Sequence, residues 1–176
     1  CQAHLARLAF PAASRVGVLL STEQAALAGE IAPAFAAQQL ELVKQTVPAD
    51  ARLITPLEAV LAGSDLLLAV PDPQIFNRNT AQSIFLTTYR YRIPVQGYSH
   101  SLTRAGALLS LHSSPAQIGR QAAEWLIQAL QAATPRLPAP TYPAYFSVSV
   151  NEQVARSLGI ALPAAAELEK RLEGGR

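Results

Sequence analysis

Along the chain, short apolar runs alternate with stretches whose apolar residues recur at helical spacing. That alternation predicts βαβ units and a parallel sheet covered by helices. Residues 15–21 (RVGVLLS) read as a first strand, apolar on both faces as a central parallel strand must be. A helix is expected over 22–38, divided or kinked by Pro33. Residues 40–47 (LELVKQTV) alternate, which predicts a half-buried strand nearer the edge. A short helix over 56–62 opens on Pro56 and stops at Gly63. Residues 65–70 form the next buried strand. Asn79 is expected to cap a helix, with Gln82 closing a capping box, and that helix presents Ala81, Ile84, Phe85 and Thr88 on one face. Residues 93–98 (IPVQGY) are another strand, with Pro94 near its start.

The second half carries stronger punctuation. Ser114-Pro115-Ala116-Gln117 combines an N-cap Ser, Pro at the first helical position and Gln three residues after the cap. Ile118, Ala122, Trp125, Leu126, Ala129 and Leu130 then recur at helical spacing. Four prolines between 134 and 143 predict an extended connection. Residues 146–150 (FSVSV) alternate as a strand, and Asn151 caps a short helix that stops at Gly159. A polar-faced helix over 164–173 and a fraying 174–176 close the chain. A leading helix over 2–8 carries His4, expected to be exposed.

Composition narrows the function. The 176 residues fit one ordinary domain, and half are apolar, enough for a real core. Net charge is +2, and Lys44 and Lys170 are the only lysines, so no basic stripe points to nucleic acid. No apolar run reaches the roughly 18 residues of a membrane-spanning helix. The single cysteine, Cys1, excludes an internal disulfide and a Cys-rich zinc site. As the first residue of a chain without methionine, it reads either as a cut point or as the lipidated end of a bacterial lipoprotein.

In open α/β sheets, ligands bind beyond the carboxyl ends of the strands. Three strands deliver polar residues there: Ser21-Thr22-Glu23, Pro71-Asp72-Pro73-Gln74 and Tyr98-Ser99-His100-Ser101. Two prolines stiffen the chain around Asp72, so little ordering entropy remains to be lost if its carboxylate meets a cationic group such as an amine. The alternative is that Asp72 caps the next helix or forms an Asx-turn. Tyr98 either stacks on a ligand or covers the strand end. His100 is the best placed histidine, and His112, just before the Ser114 cap, reads as structural. No phosphate-binding glycine loop, GxSxG elbow or metal spacing is present.

The runs VPDPQIFNRNT, TTYRYRIPVQGYS, RAGALLSLHSSPAQIGRQAAEWL and YPAYFSVSVNEQVARSLGI, in this order, resemble the substrate-binding proteins of bacterial ABC transporters. The nearest group includes receptors for aromatic amino acids. The resemblance implies a type 1 periplasmic-binding-protein fold, two Rossmann-like lobes gripping solute between them, with no cofactor and no catalysis. It places Asp72, Gln74, Tyr98 and Ser99 on the ligand-facing edge, with Ser21, Thr22 and His100 nearby. It also implies an ABC permease as partner and a site of action in the periplasm or on the outer face of the cytoplasmic membrane.

Only 14 residues precede the RVGVLLS strand, whereas the family pattern puts a lobe of about 100 residues there. The chain therefore reads as the second lobe. Residues 1–14 are an inter-lobe segment, 15–107 the α/β lobe, 108–145 a crossover section with a helix over 115–132, and 146–176 the return strand and final helices. Ile118, Trp125, Leu126 and Leu130 then need a cover, since burying the four is worth roughly 6–12 kcal/mol. Either the helix folds back on its own sheet, or a second copy or a first-lobe partner covers it. Two other functions are open at this level: a sensory module acting on a membrane partner, and a small α/β enzyme using Asp72 and His100 as an acid–base pair.

Overall fold

The computed structural model describes residues 1–48, 52–131 and 139–175. In chain order the elements are α1 (Gln2–Ala9), β1 (Arg15–Ser21), α2 (Leu27–Ala36), β2 (Glu41–Val47), α3 (Ile54–Ala62), β3 (Leu66–Leu68), α4 (Ala81–Arg90), β4 (Val95–Gly97), α5 (His100–Ala105), β5 (Leu109–His112), α6 (Pro115–Gln131), β6 (Ser147–Val150), α7 (Glu152–Leu158) and α8 (Ala165–Gly174). The strands form one sheet in the order β2-β1-β3-β4-β5-β6. The first five are parallel, and β6 runs antiparallel to β5, with His112 opposite Ser147 and Ser110 opposite Ser149.

Alternation explains why β1 and β3 are apolar at nearly every position. Val16, Val18, Leu20, Leu66 and Leu68 point into a core shared with α1 and α2. Leu19, Leu67 and Ala69 point the other way, into a core with Leu57, Leu61, Ile84 and Phe85. A third core gathers Leu5, Leu108, Leu111, Val148, Leu168 and Leu172 under β5 and β6. A strand covered on both faces has no solvent side on which to place polar residues.

Several expected boundaries hold. Ser114 and Gln117 form the reciprocal capping box: the Ser114 N–H donates to Gln117 Oε1 at 2.8 Å, and the Gln117 N–H donates to Ser114 Oγ at 3.2 Å. Asn151 accepts the Val154 N–H at 3.1 Å, and Gly159 ends α7 in the left-handed region at φ 70°.

Others are corrected. The helix expected over 22–38 begins only at Leu27, because Ser21 Oγ and the Ser21 carbonyl capture the Gln24 N–H and turn the chain first. Asn79 does not cap α4. Asn77 Oδ1 takes the N–H groups of Asn79 and Thr80 instead, Thr80 stands at the N-cap, and Gln82 closes no box. Residues 100–105 are a helix and 109–112 a strand, where a loop and the start of a crossover were expected. His4 is half-buried rather than exposed. The first half of the proline-rich connection, up to residue 138, lies outside the described residues, as does Arg176.

The expectation that α6 folds back on its own sheet is overturned. Ala129 is its one buried residue, while Ile118, Leu126 and Leu130 are 56%, 55% and 68% exposed. Its polar side ties it to the returning strand instead. Gln117 Nε2 donates to the Phe146 carbonyl and Ser147 Oγ, the Ala144 N–H donates to Gln121 Oε1, and the Tyr145 hydroxyl donates to Glu124. Arg120 bridges Glu124 and lies over the Tyr145 ring at 4.3 Å. The Tyr145 hydroxyl bond, with Arg120, holds the Glu124 carboxyl below its usual range.

Candidate functional site

The carboxyl ends of β1, β3 and β4 meet at one pole, and Asp72 joins them. It is 1% exposed and has no ion-pair partner among the described residues. Its Oδ2 accepts the Ser21 N–H at 2.8 Å, and its Oδ1 accepts the Gln74 N–H at 3.1 Å, an Asx-turn. Its carbonyl accepts the N–H groups of Ile75 and Phe76. Of the two readings of the Pro-Asp-Pro corner, the Asx-turn is formed. The carboxylate is spent on backbone amides that would otherwise be orphaned at the strand tips.

Around this brace stand the other expected residues. Ser21 is buried, its N–H on Asp72 and its hydroxyl on the Gln24 N–H. Thr22 is exposed, with its hydroxyl 3.4 Å from the Val47 carbonyl. Gln74 is exposed next to the corner. Tyr98 is half-buried, and burial, with the nearby Asp72 charge, raises its phenol above the ordinary tyrosine range, so the ring keeps its proton at neutral pH. The Ser99 hydroxyl accepts the Leu102 N–H at 3.2 Å and caps α5.

Tyr98 and Ser99 also line a groove of about 680 Å³ that continues between α4 and α5 over Phe76, Phe85 and Leu102. Among the described residues, Arg78 is the one charged residue on its wall. Sequence reasoning did not single out Phe76 or Arg78, which lie beyond the Pro-Asp-Pro corner and are brought to the groove by the Asn77 turn.

His100 departs from the expected group. It opens α5, and its Nδ1 lies 3.0 Å from Ser149 Oγ on β6. His112 Nε2 lies 2.8 Å from the same oxygen. Burial, with the neighbouring His100, lowers the affinity of His112 for a proton, and Glu169 offsets part of that. Each member of the expected acid–base pair is thus engaged elsewhere: Asp72 on amides, His100 on a hydroxyl. The signal for this cluster was present in FSVSV, whose alternation places Ser147 and Ser149 on one face, but its significance depends on the pairing of β5 with β6.

This fold is shared with several solved structures. A conserved domain protein from Vibrio cholerae superposes with a TM-score of 0.70 at 23% identity, over 95% of this chain and 56% of its own. An ABC domain in complex with L-Trp from Streptococcus pneumoniae gives 0.73 at 17% identity, over 96% and 57%. A substrate-binding protein with adhesive properties from Clostridium difficile, in its ligand-free, open form, gives 0.73 at 17%, over 91% and 55%. The chain thus spans little more than half the length of these structures. No curated protein matches it.

Residues 2–169 match the family model for ABC transporter substrate binding proteins, and the chain belongs to that family. None of its described helices is long and apolar enough to cross a membrane.

Proposed function

We propose that this chain is one solute-gripping lobe of a receptor that delivers a small solute, an amino acid by class, to an ABC permease on the outer face of the cytoplasmic membrane, without catalysis. The observation that supports this most is the convergence of Ser21, Asp72, Gln74, Tyr98 and Ser99 at the carboxyl pole of the sheet. Asp72 acts as the brace, and the exposed Gln74 and Thr22 with the Tyr98 ring supply the contacts. Such a lobe is half of a cleft that closes over solute by hinge motion. The other half is a first lobe, whose surface covers Ile118, Trp125, Leu126 and Leu130 on α6. The area left bare on that helix, and a span of 56% of a solved relative, support this occupant.

The test is amide NMR of the chain titrated with single amino acids at millimolar concentration. Shifts confined to Thr22, Gln74, Tyr98 and their neighbours, reduced in Tyr98→Ala at unchanged ligand-free Tm, are expected. No shift with any amino acid, or shifts only elsewhere, would overturn the reading.

A further inference from the structure

Two imidazole nitrogens, from the consecutive elements α5 and β5, converge on a single hydroxyl of β6, distant in the chain. His100 Nδ1 and His112 Nε2 lie 3.0 Å and 2.8 Å from Ser149 Oγ, with ring centroids 5.9 Å apart and ring planes at 61°. Imidazoles that share one metal ion at about 2.1 Å per nitrogen stand with centroids roughly 5–6 Å apart, so the pair is spaced for chelation before any ion arrives. We propose that His100, His112 and Ser149 form a site for a borderline divalent transition-metal ion of the zinc, nickel or copper class, with its remaining positions open to water.

Three features carry this. The nitrogens belong to neutral-capable imidazoles, the ligand type that suits these ions, and carboxylate-rich sites for hard ions are a different class. The supports are rigid: His112 is on a sheet strand, Ser149 is on the strand paired with it, and His100 sits in the first turn of α5, held by the Ser99 cap. The site is also reachable, because His100 is exposed and His112 and Ser149 are half-buried. Among the described residues no group of three or more His, Cys, Asp or Glu is able to hold a metal; the donor set here is instead the two imidazoles and the Ser149 hydroxyl they meet on, and affinity follows copper over zinc. Bound metal would lock the start of α5 to β5 and β6, the strands at which the chain leaves for and returns from α6. The inference is independent of which solute, if any, the lobe grips.

The experiment uses the full chain carrying Cys1→Ser, so that the thiol does not compete. Copper(II) is titrated in at neutral pH, followed by electron paramagnetic resonance for nitrogen coupling and by Tm. A one-to-one site with two coordinated nitrogens and a raised Tm is expected. His100→Ala and His112→Gln should each lower affinity at least about tenfold, and His4→Ala should leave it unchanged. His100→Ala removes an exposed side chain, so its result stands even if His112→Gln unfolds. Absence of a two-nitrogen signal, undiminished affinity in His100→Ala, or loss of the site in His4→Ala would each overturn the proposal.

Discussion

The Asp72 carboxylate accepts the backbone N–H of Ser21 at 2.8 Å, so one buried bond ties the tip of β1 to the corner after β3. Its second oxygen holds the Gln74 N–H, so the same side chain also sets the turn that follows. Hydrogen bonds to a charged group are worth about 1.5–3 kcal/mol each. Asp72→Asn keeps the shape but turns an amide donor toward one of the two N–H groups. Urea unfolding of that variant is expected to show a loss of about 2–3 kcal/mol. A loss below about 0.5 kcal/mol would mean that the brace is idle.

Gly106 joins α5 to β5 at φ 141°, a region that L side chains rarely adopt, and a Cβ there would stand 2.8 Å from Phe85 Cγ. Gly106→Ala therefore suffers backbone strain and overlap together. A loss of about 2–4 kcal/mol in chemical denaturation is expected. Gly119, on the exposed arm with nothing near its Cβ, is the contrast: Gly119→Ala should be neutral or slightly stabilising.

Asp65 gives the stability its acid limb. Partial burial opposes its ionisation, but the N–H groups of Ser14 and Arg15, at 2.7 and 2.8 Å on Oδ2, outweigh that and lower its proton affinity. A carboxyl with a depressed folded pKa contributes stability that is whole above the unfolded value of about 3.9 and is lost as pH falls through the folded one. Tm should therefore fall on acidification below about pH 4, and less steeply in Asp65→Asn. Equal slopes in the two proteins would remove Asp65 from the acid transition.

The bare face of α6 should announce itself in solution. Ile118, Leu126, Ile127 and Leu130 are each more than half exposed. Sedimentation velocity of the isolated chain is expected to show association that grows with concentration. In Leu126→Glu/Leu130→Glu that association should vanish while Tm stays nearly unchanged, since neither side chain packs in the core. A wild-type chain that stays monomeric at millimolar concentration would contradict this.

Much of the framework could be read from residue pattern because it rests on local chemistry. The Ser114–Gln117 box and the Asn151 and Gly159 stops involve groups within a few residues of one another. The doubly apolar strands follow from cover on both faces. Most of what escaped depends on partners distant in sequence. The run ALLSLH contains β5, but six apolar-rich residues fit strand or helix equally until β6 pairs with it. One miss was local: Asn77 and Asn79 offer the same side chain two positions apart, and it is Asn77 whose Oδ1 takes the Asn79 and Thr80 N–H groups. The meeting of the three strand tips was legible from topology. Which way the Asp72 carboxylate turned was not, because its acceptor role is set by the Ser21 amide 51 residues earlier.

The edge strand β6 enters the sheet only after the chain has gone out along α6 and come back, and Gln117, Gln121 and Glu124 stitch that outward helix to the return. The arm is therefore a lever whose fulcrum is the sheet margin. Its two anchor points, β5 and β6, are the paired strands that carry Ser110, Ser149 and His112, so the arm is rooted where His112 and His100 meet.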